Sequence, residues 1–230
     1  MNHALNPHIE EALSPQQDVD LLLSTLESTE EKTYPYRHWI LQPLFAEEVV
    51  DGLLEVPFEL QHDLHYQLGT REEHNPTRSY ANFDALQTFP VCKRVADIFL
   101  NRQVISKFEE MGKMSLQGSL LRMEYAMDTQ EFWLTPHTDI GPKLLTMLIY
   151  LSEGKDSETW GTDIYENADT HAMAVPYKRN SALMFIPSSH TWHGFERRFI
   201  DGVRKSLIVN YVTQEWRNRH ELVHPTQVVY

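Results

Sequence analysis

Cysteine is nearly absent from this chain, because Cys92 is the only one among its 230 residues. A single cysteine excludes an intrachain disulfide, and it also excludes a cluster of thiolate metal ligands. This scarcity fits a reducing compartment, where disulfides do not persist. The fold is therefore expected to depend on packing, without covalent cross-links.

Runs of basic residues and long apolar segments are also missing. Asp and Glu outnumber Lys and Arg by 33 to 20, and the net charge of −13 argues against non-specific binding to nucleic acid or to an anionic membrane. The longest apolar run, around 144–151, is far shorter than the ~20 residues of a membrane helix. The first residues lack the basic and then apolar pattern of a signal peptide. We expect a soluble, cytoplasmic protein with no nucleic-acid or membrane partner, and no pattern predicts its oligomeric state.

The first half of the chain reads as helical. Hydrophobic residues make up 41% of the sequence and aromatic residues 11%, which is enough to bury a substantial core. Residues 1–33 are polar and acidic, and we interpret them as a loosely attached extension with one short helix. After a strand at 37–41, apolar residues recur at helical spacing near 45–54 and again over 90–112. Helices are therefore expected within about 44–113.

The second half reads as β-structure. Short runs with β-like patterns are separated by Gly, Pro, Asp and Asn, and they lie at 116–126, 144–152, 162–166, 171–175, 181–187 and 203–213. Their spacing favours an antiparallel sandwich or jelly roll over alternating β and α units. The sequence predicts a mainly β fold with flanking α-helices. One domain would cover 34–230, with its jelly-roll core at about 114–213.

A short histidine–aspartate motif provides the first candidate for chemistry. His137 and Asp139 are two residues apart, so on an extended strand both side chains project to the same face and can bind one ion. A third ligand must come from elsewhere, and His190 and His193 are both candidates. Two histidines and one carboxylate leave coordination positions open, as in non-haem iron(II) oxygenases. Zinc uses the same ligands, so a zinc-dependent hydrolase also fits this pattern.

A second motif lies downstream, where Arg204 and Ser206 share one face of an apparent strand. A planar guanidinium binds a carboxylate through two hydrogen bonds, and a serine hydroxyl can add a third. Such a pair after a metal-binding histidine is expected if a dicarboxylate chelates the metal at one end and needs a cation for the other. A zinc hydrolase has no such requirement.

These motifs together resemble those of a known family. His137-x-Asp139, His193 and Arg204-x-Ser206 resemble the H-x-D…H…R-x-S pattern of 2-oxoglutarate- and iron(II)-dependent dioxygenases. Residues 145–152 resemble a strand of the prolyl-hydroxylase-like branch, and the whole resemblance covers about 116–212. Ten residues separate His193 from Arg204, which is the family's usual interval, whereas His190 lies farther away. The resemblance therefore implies that His193 is the third metal ligand.

The resemblance also implies a fold and a cofactor set. The family's core is a double-stranded β-helix, a cupin-like jelly roll, and its members use iron(II), 2-oxoglutarate and O2 to hydroxylate a substrate with release of succinate and CO2. Arg204 and Ser206 would bind the distal carboxylate of 2-oxoglutarate. Tyr125 and Tyr150 match tyrosines that contact the co-substrate in the prolyl-hydroxylase-like branch. Gly161 matches a glycine that lets another backbone segment approach closely.

The substrate is less well indicated than the co-substrate. Related enzymes commonly build a substrate lid from the region matching 75–82, so Arg78, Tyr80 and Asn82 are candidate substrate-binding residues, with Arg122 as a further cation. A small molecule, a sugar derivative or a peptide would fit, and the small molecule is favoured because no peptide-docking appendage is evident. A non-catalytic jelly-roll binding module that retains a metal is the alternative from a different class.

Overall fold

A computed structural model of the protein describes residues 14–58, 77–130, 132–139 and 141–230. Residues 1–13 of the expected extension and residues 75–76 of the expected lid lie outside this part. The described helices are α1 (Pro15–Ser28), α2 (Glu47–Glu55), α3 (Phe83–Thr88), α4 (Pro90–Phe99) and α5 (Arg102–Gly112). None of these helices is both long enough and apolar enough to cross a bilayer.

Ten strands of the described residues form two antiparallel sheets. The strands are β1 (His38–Leu41), β2 (Arg78–Tyr80), β3 (Leu120–Asp128), β4 (Leu134–His137), β5 (Lys143–Tyr150), β6 (Asp163–Asn167), β7 (Thr170–Ala174), β8 (Ser181–Phe185), β9 (Trp192–Phe195) and β10 (Arg204–Val212). The larger sheet has the order β1-β8-β5-β10-β3-β2, and the smaller one has the order β4-β9-β6-β7. Sequence neighbours are often not sheet neighbours, so the chain crosses between the sheets as in a jelly roll. The predicted fold class is confirmed.

Two apolar layers hold these elements together. The main core joins the helices to one face of the larger sheet, and the second fills the space between the sheets with residues such as Tyr150, Trp160 and Phe195. Side chains alternate along a strand, so β3 sends Met123 and Tyr125 into the helical layer. The residues between them face the other way. This alternation decides which side chains of β3 can reach a site between the sheets.

The predicted strands are close to the observed ones, and the differences have local causes. The six expected β runs correspond to β3, β5, β6, β7, β8 and β10, with ends displaced by a few residues. The helix predicted over 90–112 is two helices, because Asn101 ends the first and caps the second by accepting a hydrogen bond from the Gln103 backbone N–H at 2.9 Å. Strands β2, β4 and β9 are too short, at three or four residues, to show an alternating pattern.

The expected loose attachment of the N-terminal segment is wrong for its described part. Helix α1 buries Val19, Leu22 and Leu26 in the main core. The buried carboxylate of Asp18 also forms an ion pair with Arg94 of α4. Because α1 is amphipathic and its apolar face has a partner, this helix is part of the domain's packing. The division at residue 33 stays a prediction.

Candidate metal centre and adjoining cavity

The smaller sheet brings His137 and His193 together, and Asp139, two residues after the end of β4, joins them in the lining of a cavity. His137 ends β4 and pairs with His193 in β9, and their ring centroids are 4.3 Å apart. One ligand atom from each of the three residues lies within 4.8 Å of the others. This is the grouping that a single metal ion requires, and it uses only nitrogen and carboxylate ligands.

Backbone carbonyls orient both imidazole rings. His137 Nδ1 lies 2.8 Å from the Thr135 carbonyl oxygen, and His193 Nδ1 lies 3.0 Å from the Thr191 carbonyl oxygen. A carbonyl only accepts, so each Nδ1 carries the proton and donates it. The neutral ring then has its lone pair on Nε2, which is the nitrogen available to a metal. Hydrogen bonds of this kind fix the tautomer of metal-binding histidines.

The carboxylate of Asp139 is held in its charged form. Burial alone would raise its pKa, but the Lys143 ammonium and the hydrogen bonds from Lys143 and Thr146 hold the pKa of Asp139 well below its usual range. Lys143 Nζ donates to Oδ1 at 2.7 Å, and the Thr146 hydroxyl donates to Oδ2 at 2.7 Å. A permanently ionised carboxylate beside two histidines is a suitable ligand set for a divalent cation.

The cavity has a volume of about 740 Å³ and runs from this cluster between the two sheets. Ten charged residues line it, five of each sign: Arg78, Arg122, Lys143, Arg204, Arg217, Glu124, Asp128, Asp139, Glu215 and Glu221. His190 does not line it, because it lies exposed in the turn before β9, beside the Ser189 hydroxyl. The structure therefore groups His193, and not His190, with the other two residues.

Arg204 and Ser206 line the cavity from β10, as expected from their alternation. Arg204 is almost fully buried. Its Nε donates to the Trp160 carbonyl oxygen at 2.8 Å, and its Nη1 donates to Asp128 Oδ2 at 2.6 Å. No hydrogen bond joins its Nη2 to another described residue. The arginine is thus rigidly placed, with one nitrogen still uncommitted within this part of the chain.

Ser206 Oγ is buried and has no hydrogen-bond partner among the described residues. Buried hydroxyls are nearly always paired, so this atom indicates a group that is absent from the protein alone. Ser206 lies opposite Tyr150 in the pairing of β10 and β5. A ligand oxygen beside Arg204 would satisfy it.

Tyr125 and Tyr150 have different positions. Tyr125 points into the helical layer, where its hydroxyl donates to the Leu53 carbonyl oxygen at 3.1 Å. It does not line the cavity, so the structure does not bring it to the expected co-substrate site. The period-two alternation of β3 is the reason. Tyr150 does not line the cavity either, but its ring lies beside the arginine, with its centroid 5.5 Å from the guanidinium carbon of Arg204.

Three of the four expected substrate residues line the cavity, namely Arg78, Tyr80 and Arg122. Asn82 does not. Its side chain caps α3 by accepting from the Ala85 backbone N–H at 3.1 Å, and it donates to the His220 carbonyl oxygen at 2.9 Å. An asparagine directly before a helix commonly has this structural role.

Ion pairs of alternating charge line the cavity and connect, through Arg78 and Asp128, to Arg204. Arg122 pairs with Glu221 and with Glu124, and Arg78 Nε lies 2.8 Å from the other oxygen of Glu124. Burial opposes the ionisation of Glu124, yet Arg122 and Arg78 together hold its pKa below its usual range. The Arg122 guanidinium also stacks over Tyr80 and Trp216. This wall is polar but internally neutralised.

Two residues of the site were missed at the sequence level, Asp128 and Thr146. Both continue an alternation that was visible in the sequence. Asp128 shares the face of β3 that carries Arg122, and Thr146 shares the face of β5 that carries Leu148. Their partners, Arg204 and Asp139, come from other strands. Only strand pairing shows that these polar side chains are neighbours.

Comparison with known proteins agrees with this geometry at the level of fold. No protein-family model matches the sequence, and no curated protein matches it. Among solved structures, a prolyl 4-hydroxylase from Phytophthora capsici superposes with a TM-score of 0.59 at 11% identity, covering 90% of this chain and 69% of that one. A Trichoplax adhaerens prolyl hydroxylase, solved with a hypoxia inducible factor peptide, gives 0.56 at 13% identity, covering 87% and 92%.

HygX from Streptomyces hygroscopicus, solved with nickel and 2-oxoglutarate bound, gives a TM-score of 0.51 at 15% identity. That alignment covers 90% of this chain and 91% of HygX. At such identities the superpositions establish the fold and leave the activity to the site itself. The chain has the jelly-roll fold found in prolyl hydroxylases and in HygX.

Proposed function

We propose that the protein is an iron(II)- and 2-oxoglutarate-dependent oxygenase. The observation that carries this proposal is the combination of two sites in one cavity. A histidine–aspartate–histidine group lies at one position. The buried Arg204 lies at another, together with the Ser206 hydroxyl, which has no hydrogen-bond partner among the described residues. A metal site alone is common to several reaction types. The added cation and hydroxyl are what a dicarboxylate co-substrate requires.

The residues present fit the metal. His137 and His193 each carry a lone pair on Nε2 by virtue of their Nδ1 hydrogen bonds, and Asp139 is ionised. Two histidines and one carboxylate leave positions for a bidentate keto acid and for O2, which is the ligand set of non-haem iron(II) oxygenases. When bound, iron and 2-oxoglutarate would supply the oxidising chemistry, with succinate and CO2 as co-products.

The protein's own residues orient the co-substrate and keep water from its far end. Arg204 Nη2 would donate to the distal carboxylate, and Ser206 would donate its hydroxyl to the same group. Trp160 and Asp128 hold the guanidinium in place through Nε and Nη1. The Phe195 ring covers that guanidinium, with its centroid 4.7 Å from the guanidinium carbon. Exclusion of water strengthens the charged hydrogen bonds formed there.

The substrate is proposed to be a polar small molecule, a sugar derivative among the candidates. The charged wall formed by Arg78, Glu124 and Arg122 supports this choice. An apolar substrate would displace water from these ion pairs without replacing the hydrogen bonds that the water makes. A peptide is the second candidate, since a structural neighbour, a prolyl hydroxylase, was solved in complex with a peptide fragment.

A spectroscopic titration tests the proposal. Anaerobic addition of iron(II) and 2-oxoglutarate should produce a weak visible charge-transfer band. Arg204→Leu should require far more 2-oxoglutarate to produce it, whereas Arg217→Gln, which removes a cation from the exposed part of the cavity lining, should titrate like the parent. A folded protein that binds the metal but gives no band would refute the co-substrate assignment. Tight zinc binding with hydrolytic turnover would favour the hydrolase, and metal binding without any turnover would favour the binding module.

A further inference from the structure

Arg204 is already partly neutralised by a residue of its own chain. Asp128 is almost fully buried at the end of β3, and its two carboxylate oxygens serve two arginines. Oδ2 accepts from Arg204 Nη1 at 2.6 Å, and Oδ1 accepts from Arg78 Nη1 at 2.6 Å. One negative charge is therefore shared between the co-substrate arginine and an arginine of the substrate wall.

This sharing has an electrostatic consequence. A buried guanidinium without a counter-charge costs free energy. If Arg204 had no counter-charge within the protein, it would therefore bind an anion strongly. Asp128 supplies a counter-charge in the absence of co-substrate and so lowers that affinity. Arg78 in turn competes with Arg204 for the Asp128 carboxylate. Glu124 partly neutralises Arg78, with Glu124 Oε1 2.8 Å from Arg78 Nε. The extent to which Asp128 neutralises Arg204 thus depends on how strongly Arg78 competes for the same carboxylate.

We propose that Asp128 is a positioning residue that sets the selectivity of the co-substrate site, acting through Arg204. It lowers the preference for a keto acid with an anionic far end over one with an uncharged far end, and Arg78 limits that effect. This inference rests on the proposed function, since it assumes that Arg204 binds the far end of a keto acid.

The preference can be measured as a ratio of two dissociation constants. Nickel(II)-loaded protein is titrated by calorimetry with 2-oxoglutarate and, separately, with 5-methyl-2-oxohexanoate. The second compound has an isopropyl group where 2-oxoglutarate has its distal carboxylate, so shape is kept while charge is lost. A variant that merely disturbs the orientation of Arg204 weakens both ligands and leaves the ratio near its parent value.

Two variants should move the ratio in opposite directions. Asp128→Asn removes the counter-charge, and we expect the preference for 2-oxoglutarate to rise about tenfold, the scale of a buried charge pair at a binding site. Arg78→Gln leaves Asp128 to Arg204 alone, and we expect the preference to fall about threefold by the same reasoning. Glu221→Gln is the matched control, because Glu221 is an equally buried carboxylate of the same wall but pairs with Arg122. Its ratio should stay at the parent value.

The outcomes separate the two proposals. If the nickel-loaded parent binds neither keto acid, the proposed function fails and this inference fails with it. If the parent binds 2-oxoglutarate but Asp128→Asn leaves the ratio unchanged, or Glu221→Gln shifts it as much, the role of Asp128 is refuted and the proposed function stands. If Asp128→Asn does not fold, Arg78→Gln decides alone: a lower ratio supports the inference, and an unchanged or higher ratio overturns it.

Discussion

His137 and His193 are direct partners in the pairing of β4 and β9, and both rings donate Nδ1–H to the carbonyl of the residue two positions earlier. The same local hydrogen bond thus orients two candidate metal ligands that are far apart in the chain. Because each bond joins residues only two positions apart, it favours the same tautomer whether or not a metal is bound. The site is arranged in advance of binding.

Replacement of His193 by Ala should lower the affinity for a divalent metal by more than about 100-fold. Loss of a residue that only supports a metal ligand already lowers metal affinity by about 10- to 100-fold. Calorimetric titration with nickel(II) measures this. His190→Ala is the control, because His190 is exposed and lies outside the cavity. Equal losses in the two variants would refute the assignment of His193.

Two buried tyrosines form a matched pair for testing the co-substrate site. Tyr150 donates to Thr162 Oγ1 at 2.9 Å and its ring contacts Arg204, whereas Tyr125 hydrogen-bonds in the helical layer. The hydrogen bond to Thr162 holds the Tyr150 ring against Arg204. Tyr150→Phe removes this bond and should therefore weaken 2-oxoglutarate binding by about fivefold. Tyr125→Phe should leave the affinity unchanged and lower the free energy of unfolding by about 1 kcal/mol. The reverse pattern would restore the original assignment of Tyr125.

Gly161 is required by a close approach of the backbone, as expected from the sequence. A Cβ at this position would lie 1.7 Å from the Val175 carbonyl oxygen. The two segments flank β6 and β7, and the Val175 N–H donates to the Thr162 carbonyl oxygen at 2.8 Å, so neither can move away easily. Gly161→Ala should therefore lower the free energy of unfolding by roughly 3 kcal/mol or more. Denaturant unfolding measures this, with Gly141→Ala as the control, since a Cβ there meets no atom within 4 Å. Equal stability of the two variants would contradict this contact.

His38 should make the protein less stable in mild acid. Burial lowers the pKa of His38 below its ordinary value of 6.5, although its ring hydrogen-bonds to the Tyr36 carbonyl. Below that pH the unfolded chain takes up a proton here and the folded chain does not, so the free energy of unfolding falls as the pH falls. Above it both states are neutral, and the residue adds no pH dependence.

Denaturant unfolding of the metal-free protein between about pH 5 and 7 tests this. His38→Gln should show a shallower loss of stability on acidification than the parent protein. His190→Gln, which changes an exposed histidine, should follow the parent. A parent-like slope in His38→Gln would mean that other groups cause the acid sensitivity.

Local patterns were enough to predict much of the fold. The period-two runs of β3, β5 and β10 are visible because each strand is eight or nine residues long and has one face in the main core. The shorter strands β4 and β9 carry the two histidines of the candidate metal site, yet a strand of four residues shows no period. There the motif, and not the secondary structure, marked the site.

The sequence by itself determined the type of fold and the grouping of candidate residues, because alternation and motif spacing are properties of neighbouring residues. Only the tertiary structure decided the contacts between strands. It turned Tyr125 towards the helices, placed His190 outside the cavity, and set Asp128 against Arg204 across 76 residues of chain. Such pairings follow from strand register and sheet order, which depend on how the whole core packs, and no local pattern contains them.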